Sequence, residues 1–153
     1  MSLENKNIFV AGATGMTGYS ILRRILDKYP NAKIKAAYHV REPLIKHRQI
    51  EYVQGDLSNF DDCRKIARGC DCAIMAAAAA GGVAFTGTYP WKHMKDNFLM
   101  NFQMLEAFQL ENVKRVIFIG SAVLYQEFEG SIREDELDLN KEPHESYFGF
   151  AWG

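Results

Sequence analysis

Short, largely apolar runs of strand length alternate along the chain with stretches whose apolar residues recur at helical spacing. Asn7-Ile8-Phe9-Val10-Ala11 is a short apolar run with β-branched and aromatic members, the pattern of a strand buried on both faces. Gly12, Gly15 and Gly18 follow at a spacing of three, and Tyr19 to Leu26 then carries apolar residues at helical spacing. Tyr29-Pro30-Asn31 breaks the helix, and Lys33 to Tyr38 predicts a second strand. Ile50 to Val53 predicts a third, closed by Gln54-Gly55-Asp56-Leu57. Ser58 or Asn59 is positioned to cap a helix over Asp61 to Ala67. Gly69 ends that helix, and Asp71 to Ala77 predicts a fourth, apolar strand. A glycine-rich connection from Ala80 to Pro90 leads into a long helix from His93 to Glu111, and Val113 to Ile119 predicts a fifth strand. Strands alternating with helices imply a parallel sheet covered on both faces with right-handed crossovers, an α/β doubly wound architecture of the Rossmann type.

Strand, glycine turn and helix together make a dinucleotide site the favoured reading of the glycines. In that reading Gly12 permits the tight turn, Gly15 lets the backbone approach a pyrophosphate, and Gly18 lets the helix pack closely on the strand. Free N–H groups and the positive end of the helix dipole then hold the phosphates. An ordinary strand-to-helix turn would use glycine for backbone freedom alone.

The 153 residues suffice for one domain with a full core, and 48% apolar against 24% charged residues indicate a soluble globular chain. A net charge of -1 gives no reason to expect nucleic acid or an acidic membrane as partner. Cys63, Cys70 and Cys72 are odd in number and closely spaced, which suits free thiols in a cytoplasmic protein better than a disulfide framework. His39, His47, His93 and His144 are scattered without metal spacing and read as surface residues. Met94, Phe98, Leu99, Met100, Phe102, Met104, Leu105, Phe108 and Leu110 make the long helix apolar nearly all round. Such a helix needs cover on more than its sheet side, from further chain or from a second subunit, so a homodimer through 93–111 is expected.

Beyond the glycines, the stretches Ala79-Ala80-Gly81-Gly82, Thr88-Tyr89-Pro90, Asn97 and Phe118-Ile119-Gly120-Ser121 with Tyr125 occur in order and at matching intervals. Together they resemble the extended short-chain dehydrogenase/reductase family, in its branch acting on nucleotide sugars, over nearly the whole chain. The resemblance implies a phosphate loop of Gly12, Thr14, Gly15, Met16 and Gly18, and an adenine border of Asp56 and Leu57. It implies that Ala76, Ala77 and Ala78 leave room for ribose and nicotinamide, although tight helix-on-sheet packing also explains small residues. Asn97 matches a helix residue that holds the active site through its amide.

For the cofactor, an acidic residue at the end of the second strand would bind the 2′-hydroxyl of NAD. This chain has Tyr38-His39-Val40-Arg41-Glu42 instead, and Arg41 falls where NADP-using members carry an arginine. A guanidinium suits a 2′-phosphate, so NADP is expected over NAD, unless Arg41 is only a solvated loop charge.

The implied chemistry is hydride transfer at a sugar carbon assisted by Ser, Tyr and Lys, with the lysine charge making the phenol usable near neutral pH. Ser121 matches the serine, and Val123 stands where fucose-synthase members carry a catalytic cysteine. In the Tyr-x-x-x-Lys motif, Tyr147 as the tyrosine puts Ala151 at the lysine position. The alternative frame puts Phe150 at the tyrosine position. Extended members are about twice this long, so residues 1–153 are expected to be the dinucleotide-binding domain and N-terminal part of a longer protein, lacking the C-terminal substrate lobe. Two functions are compatible with these residues: the cofactor half of an NAD(P)-dependent nucleotide-sugar epimerase, reductase or dehydratase, and a catalytically dead dinucleotide-binding module.

Overall fold

A computed structural model describes residues 2–79, 88–147 and 151. Five strands, β1 (Asn7–Ala11), β2 (Lys33–Tyr38), β3 (Ile50–Gln54), β4 (Cys72–Met75) and β5 (Arg115–Phe118), form one sheet in the order β3-β2-β1-β4-β5. Every pairing is parallel. Among the described residues three α-helices accompany them: α1 (Met16–Lys28), α2 (Phe60–Ala67) and α3 (Pro90–Leu110). The sheet order is that of a Rossmann-type fold, in which the switch between β1 and β4 opens a crevice at the carboxyl ends of the strands. Two compact units make up the chain, one of residues 1–78 with 100–119 and one of residues 79–99 with 120–153.

In the first unit, strand alternation divides the core into two layers. Ile8, Val10, Ile34, Ala36, Cys72 and Ile74 point to one face and pack with Leu22 and Ile25 of α1. Phe9, Ala11, Ala37, Ala73 and Met75 point to the other and pack with Cys63 and Ile66 of α2 and Met104, Ala107 and Phe108 of α3. The Phe9 and Phe108 rings meet at 5.6 Å between centroids, tilted by 59°. All three cysteines are free and buried, and burial, the largest cause in each case, raises every thiol, that of Cys63 to about 12.

Strand and helix limits differ from the apolar pattern where a neighbour intervenes. β4 stops at Met75 rather than Ala77, because its partner β1 ends at Ala11 and Gly12 then turns away at φ +69°. α3 starts at Pro90 rather than His93, with proline at a position whose missing N–H costs nothing. At its other end Asn112 takes a left-handed φ of 58°, and the Val113 amide donates to Phe108 O at 2.9 Å. That closure occupies Val113, and β5 begins only at Arg115. Of the two candidate caps on α2, Asn59 is the one used: its side chain accepts from the Asp62 amide at 3.1 Å. Residues 80–87 of the predicted glycine-rich connection lie outside the described residues.

Apolar character on α3 proves two-sided, as expected, but the buried stripe is mixed. His93, Asn97, Met100, Met104, Ala107 and Phe108 are buried at helical spacing, whereas Leu99, Phe102, Leu105 and Leu110 are exposed. His93 is therefore not the surface residue its polarity predicts. Glu111 just beyond α3 accepts from Arg64 of α2 at 2.9 Å and pairs with Arg68 at 3.5 Å, which ties the two helices and lowers the Glu111 carboxyl pKa.

Two substitutions grade these contributions. Ile66→Ala empties a fully buried site and should cost roughly 2–5 kcal/mol, whereas Asn59→Ala removes one cap and should cost about 1 kcal/mol, both read by urea denaturation.

Candidate functional site

The turn after β1 is built so tightly that Gly12 and Gly18 are obligatory. A Cβ on Gly12 would lie 2.6 Å from Ala76 O and 2.8 Å from Ala77 Cα, and the left-handed φ already disfavours any other residue. On Gly18 a Cβ would lie 2.1 Å from Gly12 O, so the first turn of α1 rests directly on the backbone leaving β1. Gly15 is different: its Cβ would meet only Gly12 O at 3.3 Å and otherwise point into open space. The glycine turn and the alanines that follow β4 are thus brought together at the carboxyl ends of adjacent strands.

Gly15 is the N-cap of α1, and no side chain caps the helix. The amides of its first turn are therefore left without a capping acceptor, next to a residue that leaves room above the backbone. Uncapped amides, the positive helix end and an open Gly15 suit a pyrophosphate, so the residues present fit a dinucleotide. Met16 at the first helical position is 86% exposed, and Thr14 is half-buried.

Asp56 and Leu57 follow β3. One carboxylate oxygen of Asp56, Oδ1, accepts from the Ser58 amide at 2.9 Å and the Ser58 hydroxyl at 2.7 Å. These two bonds, the backbone one first, lower the Asp56 pKa. The Asp56 carboxylate therefore contributes stability that is present above its ordinary pKa and is lost as pH falls through the lowered one. Its other oxygen has no partner among the described residues and can accept from an amine. Arg41 lies in the exposed segment after β2 and makes no hydrogen bond or ion pair among the described residues.

The remaining candidates, Asn97, Ser121 and Tyr147, belong to the second unit. Asn97 is 5% exposed and its amide works in both directions on one residue, accepting from Ala79 N at 2.9 Å and donating to Ala79 O at 3.3 Å. Its Nδ2 also donates to His93 O at 2.9 Å. Asn97 is a clamp on the backbone after β4, and His93, which its polarity would place at the surface, is buried beside it. Ser121 is exposed, and its Oγ accepts from Val123 N at 3.4 Å at the start of a 3-10 turn. Tyr147 ends another 3-10 turn, 39% exposed, with its ring 5.8 Å from that of His144. Ser121 and Tyr147 share no hydrogen bond. Ala151 lies four residues after Tyr147. Phe150, the tyrosine position in the other frame, lies outside the described residues.

The model of the NAD dependent epimerase/dehydratase family matches residues 8–149. The chain is 32% identical to GDP-mannose 3,5-epimerase 1 of Oryza sativa subsp. japonica over 151 residues, covering 94% of this chain and 39% of that protein. It is 28% identical to GDP-L-fucose synthase of Sinorhizobium fredii, covering 97% of this chain and 44% of that one. Among solved structures, the epimerase Mth375 of Methanothermobacter thermautotrophicus superposes with a TM-score of 0.80 at 16% identity, over 98% of this chain and 46% of that one. The chain therefore spans less than half the length of these relatives. No described helix is long and apolar enough to cross a membrane.

Gly15→Ala separates site from scaffold. Its Cβ meets only the Gly12 carbonyl oxygen, at 3.3 Å, which must give by a few tenths of an ångström, and it occupies the space above the turn. It should melt within a few degrees of the parent, while its dissociation constant for NADH and NADPH, titrated by fluorescence, rises about tenfold or more, ~1.4 kcal/mol.

Proposed function

The chain belongs to the NAD dependent epimerase/dehydratase family, and we propose that it is the cofactor-holding half of a nucleotide-sugar epimerase, reductase or dehydratase. The observation that carries this reading is the Gly12–Gly18 turn, where uncapped amides and an open Gly15 meet at the switch of the sheet. Bound there, a nicotinamide dinucleotide would supply hydride chemistry at a sugar carbon. The α1 amides would hold its pyrophosphate, the unpartnered Asp56 oxygen would accept from the adenine amine, and Ala76, Ala77 and Ala78 would leave room beside the ring. Asn97 would fix the backbone after β4 through Ala79. Ser121 would polarise the sugar oxygen, and the Tyr147 phenol would exchange the proton.

We propose NADP over NAD, because the β2 exit carries Arg41 and no carboxylate at the position that would bind a ribose 2′-hydroxyl. A second reading, a catalytically dead NAD(P)-binding module, is favoured by one observation: Ala151 where a lysine would tune Tyr147. The exposed Leu99, Phe102, Leu105 and Leu110 of α3 support a homodimer through this helix.

Titration with NADPH tests the shared premise, and absence of binding at millimolar cofactor would refute both readings. Turnover of a GDP- or dTDP-linked 4-keto sugar favours the enzyme; binding without turnover favours the module. Arg41→Ala should weaken NADPH by roughly 10- to 100-fold and leave NADH unchanged, since a charge-assisted hydrogen bond contributes about 1.5–3 kcal/mol. Light scattering at micromolar concentration should give twice the chain mass, and a monomer would reject the α3 dimer.

A further inference from the structure

Main-chain pairing of β2 with β3 ends where Tyr38 stands opposite Gln54. The Gly55 amide adds one more bond to Tyr38 O, at 3.1 Å. Among the described residues no main-chain bond from β3 reaches His39. The side chain of Gln54 takes over: its Nε2 donates to His39 O at 3.0 Å. A side-chain amide thus extends the ladder by one residue along β2.

The two residues beyond His39 make that bond count. Val40 is 79% exposed, so no apolar packing anchors it, and Arg41 is exposed without a partner among the described residues. The carbonyl of His39 is the last point of the segment held to the sheet before the guanidinium. Its direction sets where Val40 and Arg41 leave the strand.

We propose that Gln54 is a positioning residue for cofactor choice, aiming the β2 exit so that Arg41 meets a ribose 2′-phosphate. The inference rests on the reading of Arg41 given above. Nothing about Gln54 suggests this role in the sequence; it arises from the β2–β3 register, which puts its side chain level with His39.

Gln54→Met keeps length and bulk but cannot donate. Its dissociation constants for NADPH and NADH, measured by fluorescence titration alongside Arg41→Ala and the parent, test the proposal. The expected result is a threefold to tenfold loss for NADPH, about the worth of one hydrogen bond, with NADH unchanged. A purely structural role would weaken both cofactors alike and overturn the proposal, as would an unchanged NADPH constant in Gln54→Met beside a selective loss in Arg41→Ala. If Arg41→Ala leaves the preference intact, the reading of Arg41 fails and the role of Gln54 fails with it.

Discussion

Helix α1 touches the chain leaving β1 backbone to backbone, at Gly18 against the Gly12 carbonyl, and much of the first unit depends on that contact. A side-chain carbon on Gly18 would sit 2.1 Å from the carbonyl oxygen, so any other residue would push the helix off the sheet. Its closeness seats Leu22 and Ile25 in the layer formed by Ile8, Val10, Ile34 and Ile74. The same contact fixes the direction of the first-turn amides. The packing of α1 and the placement of its uncapped amides thus follow from one steric fact at Gly12 and Gly18.

The turn also reaches across to β4. Because Gly12 leaves the plane of the sheet, Met75 is the last β4 residue with a β1 partner, and Ala76 and Ala77 continue unpaired past the glycine. The approach is between main chains, with Ala76 O only 2.6 Å from where a Gly12 Cβ would be. Further along, Asn97 accepts from and donates to Ala79, replacing with a side-chain amide the pairing that the strand has lost. Gln54 does the same for His39 at the end of β2. Where strands end near the candidate site, side-chain amides take over from the ladder, and the exits remain directed without regular structure.

Elements whose limits come from their own residues are legible in the sequence. β2 is bounded by Lys33 and Tyr38 as the pattern predicts, since the break at Tyr29-Pro30-Asn31 and the alternation within it are both local. Asn59 capping α2 is local as well. The end of β4 is not legible, because Ala76 to Ala78 are as apolar as the strand, and pairing stops for a reason that resides in β1. His93 fails for the opposite reason: it is polar in composition and buried by its place on the α3 stripe. Of the candidate site, the glycine spacing is visible in one dimension. The bond from Gln54 to His39 requires a parallel register between strands separated by a loop, which no spacing in the sequence encodes.

The buried thiols have a use that comes from where the two core layers put them. Cys63 and Cys70 belong to the layer covered by α2 and α3, and Cys72 to the layer covered by α1. A thiol reacts as its thiolate, and burial keeps all three protonated and shielded, so reagents must wait for the protein to open. Each side of the sheet therefore carries its own native clock. The labelling rate of Cys72 times the lifting of α1, and that of Cys63 the lifting of α2, so a single chain can report whether its two faces come apart together or in turn.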